Sequence, residues 1–221
     1  EKGKGIPKQT EELIKSNPYV TETDTFDRSE NWLPLMRGSL MNRYTNLWNN
    51  NYYVLYGKNL GAPRDSKIFE CKEKIIIRQT SDKIIATIIT ENIICRKNLH
   101  ILISEMVDHR FILGVLNSKL TNFYYQQINP EKGEVLAEVK KTHVEQLPIP
   151  KITSENQQLH DDLVKLVEQM LKAKKEEQNA QSDHEKNLYK NLTESLDYKI
   201  NNLVYKLYNL TPEEIDLVEN S

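Results

Sequence analysis

The chain has 221 residues, 38% hydrophobic and 28% charged, with 7 glycines, 8 prolines and a formal net charge of −2. That balance suits one good core or two small ones, and it excludes disordered, collagenous and linker-type chains. No apolar run approaches the ~18 residues of a membrane span, and the opening EKGKGIPKQTEELIK lacks a signal-peptide apolar region. A cytoplasmic protein without a membrane partner is therefore expected. The first residue is not Met, which suggests a piece of a longer polypeptide. Charge is uneven: residues 1–150 hold 21 Lys/Arg against 18 Asp/Glu, residues 151–221 hold 9 against 14, and residues 37–100 hold 11 against 5. A basic surface beside an acidic module fits that pattern, though a basic face is usually just solvated.

In chain order, a short helix is predicted near Thr10–Ser16, followed by loop. The aromatic stretch LWNNNYYVLY (47–56) reads as strand or irregular structure at a core edge. KIIIRQTSDKIIATI (74–88) reads as a β-hairpin turning at Thr80–Lys83, and its continuous apolar runs predict burial on both faces. IICRKNLHILI (93–103) adds one or two strands around a turn at Arg96–Asn98. From Asp108 to Ile128 the spacing of Phe111, Ile112, Val115, Leu116, Leu120, Phe123 and Tyr124 predicts one helix, ended by Asn129-Pro130. A turn at Glu131–Gly133 and an extended LPIP (147–150) follow.

The character changes at Pro150, where a boundary is placed between domains 1–150 and 151–221. Ser154 with Gln157 suggests a capping box. Leu159, Leu163, Leu166 and Met170, then Leu188, Leu192, Leu196, Ile200, Leu203 and Leu207, predict two antiparallel helices zipped along one stripe. Thr211-Pro212-Glu213-Glu214 opens a final helix, Pro212–Glu219, with its own box. The expected class is α+β: a mixed β-sheet domain with packed helices, then an antiparallel helical hairpin.

Catalytic chemistry is hard to find. A cofactor-binding Gly-rich turn after a strand is absent, and so is an Asn-Pro-Pro-aromatic motif. Glu138-Val139-Lys140, with Glu131 or Glu134, has the form of a metal-nuclease triplet. In a chain rich in both residues it reads better as a surface or DNA-facing feature. The five histidines lack zinc spacing, and Cys71 and Cys95, 24 positions apart, read as small buried hydrophobes. Arg78, Gln79, Thr80, Asp82 and Lys83 crowd a hairpin turn, and Arg and Gln match guanine and adenine edges. An Arg78–Asp82 ion pair stapling the turn is an equal reading.

Six segments, in order, resemble the TaqI-like C-terminal specificity domain of type IIG restriction-modification enzymes and adenine-specific DNA methyltransferases. They are LMRGSLMNRY (35–44), YGKNLGAPRD (56–65), KIIIRQTSDKIIATI (74–88), CRKNLHILI (95–103), ILGVLNSKLTNFYYQQINPEKGEVLAEVKKTHVEQLPIP (112–150) and LVYKLYNLTPEEIDLVE (203–219). The resemblance implies a DNA-recognition fragment without catalytic residues or a metal of its own. It clamps double-stranded DNA against an upstream methyltransferase domain, which would use SAM, and Mg if the parent also acts as an endonuclease. Ser81 stands where relatives often have Gly. The resemblance suggests phosphate contacts from Arg37, Arg43, Lys58, Arg64, Lys119, Lys132, Lys140 and Lys141, joined by Asn117, Thr142 and His143. It places Leu116, Phe123 and Tyr124 in the core. Two rival readings are a small metal-dependent nuclease using Glu138 and Lys140, and a helical protein-interaction module without DNA contact.

Overall fold

A computed structural model describes residues 20–21, 31–57, 60, 63–131, 133–134 and 137–221. The helix expected near Thr10–Ser16 and the candidate contacts Lys58 and Lys132 lie outside those residues. The strands are β1 (Val20–Thr21), β2 (Trp32–Met36), β3 (Met41–Asn42), β4 (Thr45–Asn46), β5 (Tyr53–Leu55), β6 (Lys74–Arg78), β7 (Ala86–Ile89), β8 (Ile94–Cys95) and β9 (Leu99–Leu102). The helices are α1 (Lys67–Glu70), α2 (His109–Leu116), α3 (Lys119–Ile128), α4 (Lys141–Val144), α5 (Gln157–Asn179), α6 (Asp183–Leu207) and α7 (Pro212–Glu219). The architecture is α+β. Among the described residues, no helix is long and apolar enough to cross a membrane.

One sheet runs β1-β5-β2-β8, with β8 parallel to β2; another runs β7-β6-β9, antiparallel throughout; β3 and β4 form a separate small hairpin. The isoleucines of β6 show why a continuous apolar run belongs here. Strand side chains alternate faces, so Ile75 and Ile77 enter a cluster with the helices while Ile76 enters one with β2, β8 and Phe69. The β6–β7 hairpin forms as predicted, with Ile75 opposite Ile88. Arg96–Asn98 joins two sheets rather than two paired strands, because β8 pairs with β2 and β9 with β6. Lys74, fully buried, donates to the carbonyls of Phe69 (2.9 Å), Cys71 (3.3 Å) and Glu91 (2.9 Å). Cys95 is buried as expected, and burial pushes its thiol up to about 12; Cys71 is partly exposed.

The helix predicted over 108–128 is two helices. Asn117 ends α2 and Ser118 begins α3, its hydroxyl accepting from the Thr121 amide at 3.1 Å. The Asn117 amide instead brackets Ala86 in β7, accepting from its N–H and donating to its carbonyl, both at 3.0 Å. A side chain that satisfies a distant backbone pair competes with helix continuation. Tyr125 is fully buried, whereas Tyr124, assigned to the core by resemblance, is 40% exposed.

The helical hairpin forms from α5 and α6. The Ser182–Glu185 and Thr211–Glu214 capping boxes hold α6 and α7 at their starts, the second with Pro212 in the first turn. The box expected at Ser154–Gln157 is absent: the helix begins after Asn156, whose amide serves Thr153 and Lys151 instead. The buried stripe also differs from the leucine spacing. Leu163, Val167, Met170 and Ala173 face Leu196, Ile200, Val204 and Leu207, while Leu188 and Leu192 stay exposed and Leu166 and Leu203 are only partly buried. The cause is α2. At Gly114 an added Cβ would lie 2.9 Å from Val167 and 3.0 Å from Leu163, so the hairpin turns its valine side toward that helix. One apolar cluster therefore includes Ile75, Phe111, Leu147, Leu163 and Val204, on both sides of position 150.

Candidate nucleic-acid interface

The polar end of the β6–β7 hairpin is built from three chain segments. Gln79 receives nothing by chance: its N–H donates to the Asn98 carbonyl at 3.0 Å, and its carbonyl accepts from Val139 at 2.6 Å. Thr80 and Glu138 form an antiparallel bridge, and the His100 Nε2 lies 2.6 Å from the Val139 carbonyl. Segments 79–80, 98–100 and 138–139 are thus tied by backbone groups, which fixes the side chains they carry.

Glu138 is held on both sides of its own backbone. Its N–H donates to the Glu131 carboxylate at 2.9 Å, and its carbonyl accepts from the Tyr125 hydroxyl at 3.3 Å. The exposed Glu138 carboxylate then accepts from the Gln79 side-chain amide at 3.3 Å. Lys140 closes the group by meeting Glu131 at 2.5 Å. That contact lowers the Glu131 pKa and raises that of Lys140, each charge favouring the other. Beyond it α4 begins. There Lys141 is 75% exposed, Thr142 is exposed, and the His143 ring sits edge-on to Tyr125 at 6.2 Å. Lys83 is exposed beyond the hairpin turn, which a bond from its N–H to the Ser81 hydroxyl (3.0 Å) tightens; Asp82 is half-buried beside it.

Most of the other expected contacts serve the fold. Arg37 is buried, its guanidinium 4.6 Å from the Tyr52 ring centre. Arg43 donates to the Asn117 carbonyl (2.7 Å) and to Asp197 (2.6 Å). Arg64 donates to the carbonyls of Leu99 and Lys97. Arg78 forms no staple with Asp82; it donates to the Met41 carbonyl and, at 3.2 Å, to the Asn42 side chain. Asn117 is 1% exposed with its amide consumed by Ala86, and Lys119 pairs with Glu219. Arg43, Arg64, Arg78, Asn117 and Lys119, all expected as DNA contacts, thus each direct polar groups to partners within the chain. Arg37, also expected as a contact, is 6% exposed and lies against Tyr52.

The same neutralisation marks the cleft of about 910 Å³ between the β3–β4 hairpin and the helical hairpin. Arg43, Lys119 and Lys174 line it, and each is paired to an acid: Asp197, Glu219 and Glu177. Lys83, exposed at the β6–β7 turn, lines the same cleft. Among the described residues, no group of three or more His, Cys, Asp or Glu gathers as a metal site; Glu138 and Lys140 bond to Gln79 and Glu131 instead.

Gln79, Thr80, Asp82, Lys83, Lys140, Lys141, Thr142 and His143 are the expected contacts that lie at the β6–β7 turn and the start of α4. Sequence reasoning set Glu131 beside Glu138 and Lys140 but missed Tyr125, Asn98 and His100 as supports. Their partners lie far along the chain, and no local pattern marks them.

A family model for the TaqI-like C-terminal specificity domain matches residues 33–149. Among solved structures, the chain resembles the type IIL restriction-modification enzyme MmeI, determined in complex with DNA, with a TM-score of 0.55 and 13% identity. The likeness covers 90% of this chain and 32% of that one, so the chain spans about a third of the enzyme's length. At that identity it speaks for the fold. No curated protein matches the sequence significantly. The family match, in contrast, takes in more than half of the sequence, and the chain belongs to the TaqI-like C-terminal specificity domain family.

Proposed function

We propose that this chain is the sequence-specific DNA-recognition part of a larger adenine-specific DNA methyltransferase or type IIG restriction-modification enzyme. In this reading the catalytic part lies upstream and uses SAM, with Mg where the parent also cleaves; this part performs no chemistry. It grips duplex DNA in the cytoplasm while the upstream domain receives a flipped adenine.

The observation that carries the reading is the backbone-tied end of the β6–β7 hairpin. Base reading needs donors and acceptors held rigidly, since each correct base contact discriminates by only about 1–3 kcal/mol. Gln79 and Glu138 supply an amide and a carboxylate side by side on such a frame. A carboxylate on a DNA-facing surface is repelled by phosphates, and an amino group on a base edge is the partner that offsets this. Lys83, at the hairpin turn, and Lys141, at the start of α4, are exposed and suited to sequence-independent phosphate contacts. Lys140, Thr80, Asp82, Thr142 and His143 complete or support the rim.

The test is binding to a randomised duplex pool at two salt concentrations, with selection and sequencing of what is retained. Enrichment of one short sequence, with affinity falling steeply as salt rises, is expected. Replacing Lys83 and Lys141 together by Ala should lower the salt slope by about two and leave the enriched sequence unchanged. Retention without any enriched sequence would overturn the reading.

A further inference from the structure

Between α5 and α6 runs a groove of about 430 Å³ on a face separate from the buried stripe. Leu166 and Leu203 give it an apolar floor, and Lys165, Lys199 and Lys206 stand around them. Asp162 is the one acid of the lining and holds Lys165 at 3.8 Å. Lys199 and Lys206 make no ion pair among the described residues. An apolar floor inside a basic rim fits an apolar knob inside an acidic ring.

The chain itself carries such a knob. On α7, Leu217 is 60% exposed, the exposed Glu213 lies one turn before it on the same face, and the exposed Asp216 is on the adjoining flank, one turn after Glu213. The other side of α7 is fixed to its own chain: Val218 is buried, and Glu219 accepts from Tyr205 at 2.6 Å and pairs with Lys119. The acidic face is thus held ready on a short, well-capped helix, which limits the entropy lost on docking.

We infer that two copies of this chain pair reciprocally, each laying Leu217 of α7 into the α5–α6 groove of the other, with Glu213 and Asp216 against Lys199 and Lys206. Reciprocal exchange closes the assembly at two copies, where one-way docking would propagate. The pairing is independent of the DNA-recognition reading.

Sedimentation velocity on the whole chain over a concentration series, at low and high salt, tests it. A monomer–dimer equilibrium weakened by salt is expected. The double charge reversals Lys199→Glu with Lys206→Glu, and Glu213→Lys with Asp216→Lys, should each weaken dimerisation by about tenfold or more. An equal mixture of the two variants should dimerise again, because both contacts are then complementary. Leu217→Asp should give a monomer with an unchanged melting curve, since the side chain is exposed. A monomer at every concentration, a dimer indifferent to both reversals, or a mixture that fails to recover would each overturn the pairing.

Discussion

Arg43 reaches Asp197, 154 positions along the chain, at 2.6 Å, and the same guanidinium donates to the carbonyl of Asn117 at 2.7 Å. The tip of the β3–β4 hairpin is thereby fastened to both the α2–α3 corner and α6. Next to it Tyr44 takes a positive φ of 59° and buries its ring in the main core. A tyrosine in that conformation costs about 1–3 kcal/mol and persists because its surroundings fix it.

Arg43→Ala should therefore act on stability and not on DNA. The ion pair is partly exposed, which discounts its strength. The lost charge-assisted bond to a carbonyl still predicts a loss of about 1–2 kcal/mol. Urea unfolding measures this; salt-dependent DNA binding of the folded variant should match the parent chain, whereas a reduced salt slope would return Arg43 to the phosphate contacts.

At Asn117 the penalty should be larger. Alanine there takes the partner from the Ala86 N–H inside the core, at about 1–3 kcal/mol, while the Ala86 carbonyl loses one donor and keeps the Tyr44 N–H at 3.0 Å. A chemical-denaturation midpoint unchanged by Asn117→Ala would mean that water replaces the amide.

The hairpin's stripe gives a paired test. Leu163→Asp places a charge at a position with no exposure and should cost several kcal/mol or unfold the chain. Leu192→Asp, at a position 43% exposed, should stay within about 0.5 kcal/mol. Equal losses in thermal melting would show that the leucine spacing, and not the valine side of α5, sets the seam.

Acid should act through Glu219. Its pKa lies below the ordinary 4.5 because Lys119 and then Tyr205 donate to it, and burial opposes them only in part. A depressed carboxylate stabilises the fold above its unfolded pKa, and that stability is lost as pH falls through the folded value. Glu219→Gln should lower the melting temperature at neutral pH, with the difference shrinking below pH 4.5. A difference that persists undiminished at lower pH would assign it to packing.

For base reading, Gln79→Ala should weaken binding to the selected sequence by about 1–3 kcal/mol and leave random duplexes almost unaffected. Competition binding separates the two. Equal losses on both would make Gln79 a structural turn residue.

The isoleucine run of β6, the α5–α6 hairpin and the Thr211 cap could be read from the chain alone. Each follows from neighbours in sequence: β-branched side chains favour strands, and a hydroxyl three residues before a Glu caps a helix. Family segments were legible for the same reason, as strings in order. Whether a cation is free was not legible. Arg43, Arg78 and Lys119 look like surface charges until Asp197, the Met41 carbonyl and Glu219 are brought to them by the fold. The break at Asn117 and the rotation of the hairpin seam depend likewise on Ala86 and on α2 packing at Gly114. Local propensity is a property of a segment. A hydrogen bond or a packed face belongs to two segments, and only the tertiary structure decides which two.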